Sequence, residues 1–595
     1  MILDKVTSPA DLKKIPIEEL PVLAQEIREV LINKASNFGG HLGSNLGVVE
    51  LTIALHYVFE SPKDKIVFDV SHQCYVHKIL TDRKIAYLDE RQYRSISGYT
   101  NPKESVHDMF NVGHTSTSIS LACGLAKGRN LCKREENIIA VIGDAALDGG
   151  ESFEALNVAV EVGGGLIVVV NDNDMSIPEN HGALCAHLAE LREHEGRCEN
   201  NFFETLGFDY YFVKDGHNIT ELVDAFSRIK DTKCPVVVHC VTKKGKGYVH
   251  AENDPEKWHW AHPFNIETGE FNKKTAVPKE NYGSIVGQYL MEKIKDDPTV
   301  VAMTASVPAY IGFSPQRRKE AGSQYLDVGI AEANGVTMAA AIAKSGGKPV
   351  FVTGSSFYQR AYDQIEQEMC INKCAATMLV AFSGINGHDS DAHAGLYDMA
   401  LLGNIPGLIY LAPSNKQEYL AMLEWSIEQN DSPVAIRIPW NGVHYTSECV
   451  LCEYSKTKYW VRKKGSRIAV LGLGSFYQLA EQVCELIKKD MQVDATLIDP
   501  MFVTGVDSEL LENLKKDHQL VVTMEDGIVS GGFGSRIAQY YSVSEMKVLN
   551  CGFYSEVPTQ FTVEEMIEKN RLTPEKILAD LKKILASGEN SGTKC

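Results

Sequence analysis

Two apolar runs of strand length, joined by a helix-like segment, constrain the fold of this chain more than any other feature. Asn137–Gly143 and Leu166–Asn171 are almost entirely aliphatic, and the apolar residues of Glu151–Val162 between them recur with helical spacing. Strands that are apolar on both faces are typical of parallel sheets covered by helices on both sides. The segment therefore predicts a strand–helix–strand unit of an α/β fold.

Apolar runs of the same kind recur along the chain and predict further strands. They are Lys65–Asp69, Pro235–Val241, Pro349–Thr353, Ala376–Phe382, Gly407–Ala412, Pro433–Ile438, Arg467–Gly472, Ala495–Ile498 and Leu520–Glu525. A chain of 595 residues is too long for one hydrophobic core, and the polar stretch Ile266–Glu280 is typical of a linker. We therefore predict three α/β domains with mainly parallel sheets, at residues 1–275, 279–445 and 460–595.

The charge balance excludes several classes of partner. The formal net charge is −19 and the sequence pI is about 5.5, which argues against general binding of nucleic acid or anionic membranes. No apolar stretch approaches the roughly 20 residues that a membrane helix needs, and the N-terminal residues lack an apolar signal core and a basic transit character. We therefore expect a cytoplasmic protein that acts on small molecules, with no nucleic-acid or membrane partner.

Polar residues follow the two central apolar runs at the points where the predicted strands end. Asp144 comes directly after Gly143, and Asn173 lies 29 residues after Asp144. The carboxyl ends of parallel strands meet at one edge of a sheet, where open α/β folds bind ligands. A carboxylate, an amide oxygen and a nearby backbone carbonyl suit Mg²⁺, and the small residues Ala145 and Ala146 let backbone amides approach a diphosphate. A Gly-Asp pair after a strand also fits an ordinary turn, but the spacing to Asn173 favours the metal site.

This pattern resembles the thiamine diphosphate motif, Gly-Asp-Gly followed at a similar distance by Asn, with Ala145 in place of the second Gly. Further segments resemble the 1-deoxy-D-xylulose-5-phosphate synthase family and, more distantly, transketolase. They are Gly40–Thr52, Ser71–Lys78, Gly113–Ser118, Asp144–Asn180, Gly329–Glu332, Phe357–Gln364 and Met524–Gly534. The resemblance covers nearly the whole chain. It implies a transketolase-like fold, a homodimer, and a carboligase that depends on thiamine diphosphate and Mg²⁺, with isoprenoid biosynthesis as the expected setting.

The resemblance also implies three groups of site residues. Those expected to bind the metal ion are Asp144, Asn173 and the carbonyl group of Met175. Those expected to bind the rest of the cofactor are His72, Gly113, His114, Thr115, Asp144, Ala145, Ala146, Asn173, Ile177, Trp258, Glu332, Phe357 and Arg360. Those expected to act in catalysis around the reacting carbon are Glu332, His41, His114, Asp389 and His393.

Three of these residues have particular roles in the family. Glu332 matches the glutamate that hydrogen-bonds the aminopyrimidine ring and so promotes removal of the thiazolium C2 proton. Phe357 is expected to stack on the pyrimidine, and Ile177 is expected to hold the cofactor in a bent conformation.

The acceptor side departs from the family, which holds the phosphate of its acceptor with a tyrosine and two arginines. By spacing from Glu332, these positions are Gly354, Phe382 and Trp440. Arginine binds phosphate through charged hydrogen bonds worth about 1.5–3 kcal/mol each, which Phe and Trp cannot form. The sequence therefore predicts an altered aldehyde acceptor, for which an unphosphorylated compound is the sharper hypothesis.

Other interpretations stay open at this point. A divergent synthase could bind the acceptor phosphate through Arg437, Arg360 or Lys243–Lys246. The donor could be pyruvate, as in the synthases, or a ketose, as in ketol transfer by transketolase. A regulatory paralogue without catalytic activity is a third interpretation, which the retention of Glu332, Asp144 and Asn173 argues against.

Overall fold

The structure is a computed structural model, and it describes residues 1–272, 280–385, 391–439, 442–448, 450–451, 453–554, 557 and 560–589. The chain divides into two compact units, Met1–Val277 with Gly329–Ala331 and Pro278–Val328 with Glu332–Cys595. Asp389, Trp440 and the predicted start of the second domain at residue 279 lie outside the described residues. Over the ranges that the structure covers, no helix is long and apolar enough to cross a membrane.

The first unit is built on a five-stranded sheet in which every neighbouring pair is parallel and the order is β1-β2-β3-β5-β4. Its strands are β1 Lys65–Phe68, β2 Ile138–Gly143, β3 Ile167–Asp172, β4 Asp209–Val213 and β5 Val236–Val241. In β2, Ile138, Ala140 and Ile142 pack into the core on one face. Ile139 and Val141 pack into the core on the other face. Burial on both faces explains the continuous apolar run.

Helices cover both faces of this sheet, and one of them, Gly150–Val162, joins β2 to β3 as the sequence predicts. The others are Pro9–Leu12, Leu20–Phe38, Leu42–Leu46, Val49–Val58, Tyr75–Lys78, Ile85–Leu88, Ser118–Leu131, Ala183–Glu193, Phe202–Thr205, Ile219–Ile229 and Val249–Asn253.

The second unit contains two sheets. The six-stranded sheet has the order β10-β11-β9-β8-β6-β7, and its strands are β6 Val300–Thr304, β7 Tyr325–Asp327, β8 Lys348–Gly354, β9 Thr377–Ser383, β10 Ile409–Leu411 and β11 Val434–Pro439. The five-stranded sheet has the order β12-β14-β13-β15-β16, and its strands are β12 Trp460–Lys463, β13 Arg467–Gly472, β14 Thr496–Asp499, β15 His518–Ile528 and β16 Lys547–Phe553. Only the β12–β14 pair is antiparallel among the described strand pairs. The predicted fold class is therefore confirmed, while the exact domain boundaries stay a prediction.

The first helix of the second unit is Tyr282–Asp296, and a capping box formed by Asn281 and Ser284 stabilises its N-terminus. The others are Pro315–Ala321, Glu332–Lys344, Tyr362–Gln364, Asp398–Leu402, Lys416–Glu428, Tyr477–Met491, Ser508–Leu514, Phe533–Tyr541, Val563–Lys569 and Pro574–Glu589.

Candidate active site

Asp144 and Asn173 lie next to each other at the carboxyl edge of the first sheet, because they directly follow the adjacent parallel strands β2 and β3. Asp144 is buried, and its Oδ2 accepts hydrogen bonds from the side chain of Asn180, at 2.9 Å, and from the backbone N–H of Asn173, at 3.3 Å. Burial raises the pKa of the Asp144 carboxyl well above its ordinary value, and the nearby charge of Asp172 raises it further. The protein therefore places a carboxylate where a positive charge would stabilise it.

The remaining oxygen atoms at this edge fit a hard cation. The Oδ1 atom of Asn173 is buried without a hydrogen-bond partner among the described residues. Leaving a buried amide oxygen unpaired is costly, and a divalent cation that also contacts Asp144 would satisfy it. Met175 and Ile177 follow in a turn that Asp174 enters with a positive φ of 60°. The donor set of one carboxylate, one amide oxygen and nearby backbone carbonyls is the kind that Mg²⁺ binds.

The turn after β3 is held by an ion network around the buried Asp172, which the sequence does not reveal. Arg192, in the helix Ala183–Glu193, donates to both carboxylate oxygens of Asp172, at 2.6 and 2.7 Å, and pairs with Asp174 at 3.1 Å. His239 on β5 shares a 2.7 Å hydrogen bond with Asp172. Burial raises the pKa of Asp172, but the bonds to His239 and Arg192 outweigh burial and hold the pKa below its ordinary value.

Residues 113–115 lie in a segment that Asp69 fixes at the end of β1. The two carboxylate oxygens of Asp69 accept the backbone N–H groups of Ser116, at 2.8 Å, and Ser118, at 2.9 Å. Gly113 is buried in this segment, and His114 and Thr115 are half-buried.

The same segment is bonded to the turn after β2. The hydroxyl of Ser116 donates to the carbonyl of Ala146 at 2.8 Å, and Ala145 and Ala146 are both buried. A Cβ atom on Gly149 would lie 2.1 Å from the Ser116 hydroxyl, so this close approach requires glycine. The structure thus brings residues 113–115 to the same sheet edge as Asp144.

Three histidines cluster in the first unit. The ring centroids of His41 and His72 are 5.1 Å apart, and His259 lies 5.4 Å from each. Burial lowers the pKa of His72 to about 3, with the charge of Lys244 adding to the effect, and burial lowers the pKa of His259 well below its ordinary value. Both rings are therefore neutral near pH 7. The Nδ1 atoms of His72 and His259 are buried without hydrogen-bond partners in the described part of the chain.

Trp258 differs from the other residues expected to bind the cofactor. Its side chain is 1% exposed, and its ring packs in the core against Phe264, at 4.7 Å, and Tyr248, at 5.1 Å. Its neighbours His259 and Trp260 contact the ring of His41 instead. The ring of Trp258 therefore supports this loop from the core, and its expected role in cofactor binding stays a prediction.

In the second unit, Glu332 begins the helix Glu332–Lys344 and is 5% exposed. Burial raises the pKa of its carboxyl, and the positive charge of Arg360 acts in the opposite direction. Burial, and then the negative charge of Glu332, raise the pKa of the Tyr310 hydroxyl. Glu332 therefore interacts electrostatically with Arg360 and with Tyr310, a residue that was not predicted from the sequence.

Phe357 and His393 are also brought together in the second unit. Their ring centroids are 5.6 Å apart, with the rings nearly perpendicular. A Cβ atom on Gly354 would lie 3.0 Å from Cδ2 of Phe357. Glycine at position 354 therefore makes room for the ring of Phe357.

Phe382 occupies one of the two positions at which the spacing from Glu332 predicts an arginine in the family. Its ring is 4.4 Å from that of Tyr310 in an edge-to-face arrangement, and its backbone has a positive φ of 52°. Pairs of this kind are favourable beyond their buried area. An uncharged aromatic pair thus stands at this position.

Arg437 is not available to bind the acceptor phosphate. Its Nε and Nη2 atoms donate to Asp398, at 2.8 and 3.1 Å, and its Nη1 atom donates to Asp526. The whole network is buried. The interpretation that Arg437 replaces a lost arginine is therefore wrong, because two carboxylates already neutralise it.

Two of the other candidate cations, Lys243 and Lys244, are also engaged within their own surroundings. Lys243 pairs with Glu252 at 2.6 Å, and Lys244 donates to the carbonyl of Ser176 at 2.5 Å. Burial lowers the pKa of Lys244 to about 8. Lys244 therefore belongs to the sheet edge that carries Asp144.

Comparison with known proteins identifies the family. A family model described as 1-deoxy-D-xylulose-5-phosphate synthase matches residues 3–199 and 194–242. The pyrimidine-binding domain of transketolase matches residues 279–443, and the C-terminal domain of transketolase matches residues 458–577.

Full-length relatives agree with these matches. The chain is 40% identical to a 1-deoxy-D-xylulose-5-phosphate synthase of Carboxydothermus hydrogenoformans, over 98% of this chain and 99% of the relative. It is 38% identical to the enzyme of that name from Caldanaerobacter subterraneus subsp. tengcongensis, over 97% of this chain and 98% of the relative. A solved transketolase from Campylobacter jejuni is 16% identical over 96% of this chain and all of the transketolase, with a TM-score of 0.45. The full-length identities decide the assignment: the chain belongs to the 1-deoxy-D-xylulose-5-phosphate synthase family and is a thiamine diphosphate-dependent transferase.

Proposed function

We propose that this enzyme uses thiamine diphosphate and Mg²⁺ to join the two-carbon unit of pyruvate to an aldehyde acceptor that carries no phosphate. Family membership supports the reaction type and the pyruvate donor. The aromatic pair of Phe382 and Tyr310, at a position where the family has arginine, supports the change of acceptor. Family membership also supports a homodimer.

In this proposal, the carboxyl edge of the first sheet binds the charged end of the cofactor. Asp144, Asn173 and the carbonyl of Met175 hold Mg²⁺, and the buried unpaired oxygen of Asn173 supports this role. His72 and residues 113–115, with Ala145 and Ala146, contact the diphosphate. Ile177 contacts the cofactor from the turn after β3.

The second unit supplies the residues for the pyrimidine ring. Glu332 exchanges a proton with the ring, Phe357 stacks on it, and Arg360 sets the charge around Glu332. Thiamine diphosphate itself stabilises the negative charge that develops on the donor carbon. His41, His114, Asp389 and His393 orient substrate oxygens and move protons, with His259 as an additional neutral histidine beside His41.

Steady-state kinetics test the acceptor directly. The kcat/KM for pyruvate with glyceraldehyde 3-phosphate is compared with the value for pyruvate with glyceraldehyde, which differs only in the phosphate. We expect the neutral aldehyde to be used at least as efficiently, because Phe382 offers no guanidinium group to bind the phosphate. Selective turnover of the phosphorylated aldehyde would contradict the proposal.

The variant Phe382→Arg tests the same position by restoring the charge. We expect it to raise the preference for glyceraldehyde 3-phosphate over glyceraldehyde by about 10- to 100-fold, from one charged hydrogen bond of about 1.5–3 kcal/mol. Phe382→Leu is the matched control, because it removes the ring without adding charge. An equal change of preference in both variants would show that the ring, and not the missing charge, decides selectivity.

The metal site has a test that does not depend on turnover. Asp144→Asn keeps the shape of the side chain but removes its charge, so Mg²⁺ affinity in the presence of thiamine diphosphate should fall by at least about 10- to 100-fold. Isothermal titration calorimetry measures this affinity. Asp224→Asn, at an exposed carboxylate of the same unit, is the control and should leave it unchanged. Equal Mg²⁺ affinity in both variants would show that Asp144 does not bind the metal ion.

A further inference from the structure

Trp260 lies on a loop that is bonded firmly to the segment carrying His41. The backbone of Gly40 exchanges two hydrogen bonds with Ala261, at 2.9 and 2.8 Å. The N–H of Gly43 donates to the carbonyl of Trp258 at 2.9 Å. These bonds lie on both sides of Trp260 and His41, so the two backbone segments that carry these side chains are held in a fixed relation.

The ring of Trp260 stands against His41. The two centroids are 4.6 Å apart and the rings are perpendicular, a shorter separation than those from His41 to His72, Tyr99 and His259. His41 is 8% exposed. A rigid indole therefore covers one side of a buried histidine.

Trp260, unlike Trp258, is not part of the hydrophobic core. Trp258 is a member of the core cluster of its unit, whereas Trp260 is half-buried and belongs to none of the core clusters formed by the described residues. Ligand sites are lined predominantly by apolar and aromatic side chains, and Trp260 lies beside a histidine that is expected in the site. The contact with His41 gives this side chain a specific place.

We propose that Trp260 is a specificity-determining residue that limits the size of the aldehyde acceptor to short chains. This inference rests on the proposed function, in which His41 lies beside the reacting carbon. The indole ring offers no charge and one N–H donor, and its two fused rings resist displacement because the flanking backbone is fixed. The acceptor class under this proposal is a short aldehyde.

The test is a series of straight-chain aldehydes, from propanal to hexanal, each used with pyruvate. Trp260→Ala should raise the ratio of kcat/KM for hexanal over propanal by at least about tenfold, because the space of the indole becomes available to the longer chain. Trp260→Phe should give a smaller change in the same direction. Thiamine diphosphate affinity, measured by calorimetry with Mg²⁺ present, should stay within about twofold of the wild type, which a general collapse of the loop would not allow.

Trp425→Ala is the matched control, because Trp425 is a half-buried tryptophan of the other unit that packs against Tyr454. It should leave the aldehyde ratio unchanged. If Trp260→Ala does not fold, the direction of the change in Trp260→Phe decides. An unchanged ratio in a Trp260 variant that binds cofactor normally overturns this inference alone. Absence of product from pyruvate with every aldehyde, in the wild type, overturns the proposed function and this inference with it.

Discussion

Replacing Glu332 with glutamine should lower kcat for carbon–carbon bond formation by about 100- to 10,000-fold, the usual contribution of a positioned acid–base group. Glutamine can form hydrogen bonds of similar geometry, but it cannot exchange a proton with the aminopyrimidine ring. Because Glu332 is only 5% exposed, water from the bulk solvent has little access to take over the proton transfer of its carboxyl group. The loss should therefore appear in kcat, with cofactor affinity changed much less.

Two measurements separate this role from a structural one. The first is kcat with pyruvate and an aldehyde, and the second is the rate of hydrogen–deuterium exchange at the thiazolium C2 position, followed by NMR. Glu320→Gln, at an exposed carboxylate of the same unit, is the control. If Glu332→Gln keeps more than about one-tenth of the wild-type value in both measurements, the assigned role is wrong. A wild type that binds cofactor but turns over no donor would instead favour the regulatory interpretation.

Replacing Arg437 with methionine should destabilise the second unit by about 3–5 kcal/mol, because it leaves two buried carboxylates without a cation. Asp398 and Asp526 share this one guanidinium, and both are almost fully buried. Methionine has a similar length and restores none of the hydrogen bonds. The expected change is therefore larger than for most single substitutions in a protein.

Urea unfolding, followed by circular dichroism, measures this loss. Arg571→Met is a matched control in the same unit, since Arg571 makes two hydrogen bonds to one carboxylate, Asp580, at a largely exposed position. Exposed pairs contribute at most about 1 kcal/mol. A loss in Arg437→Met no greater than that in Arg571→Met would mean that the buried network does not stabilise the fold.

The sequence predicts best the strands that are buried on both faces. β2 and β3 were predicted to within one residue, since both of their faces are packed and the apolar run is unbroken. The strands β4, β7, β12 and β16 were not predicted, and each is an edge strand of its sheet. In β4, exposed and half-buried residues alternate, so the apolar signal is weak. β6 was also missed although it lies inside its sheet.

The candidate site, like the strands, could be predicted only in part from the sequence. The proximity of Asp144 and Asn173 follows from the sequence, because adjacent parallel strands end at one edge. The hydrogen bonds of Asp172 to Arg192 and His239 could not be predicted from the sequence. These partners lie 20 and 67 residues away from Asp172, and no sequence motif links them to it. The different positions of Trp258 and Trp260 also required the structure, because one residue packs in the core and its near neighbour does not.

The ion pair between Arg437 and Asp526 has a consequence for domain chimeras made between this protein and its relatives. Arg437 belongs to β11 of the six-stranded sheet and Asp526 to β15 of the five-stranded sheet, so one buried charge cluster joins the two sheets of this unit. A chimera that takes its last domain from another member of the family would inherit the carboxylate from one parent and the guanidinium from the other. Where the two parents do not supply matching charges, such a hybrid should be destabilised by about 3–5 kcal/mol, so these charged residues are expected to change together.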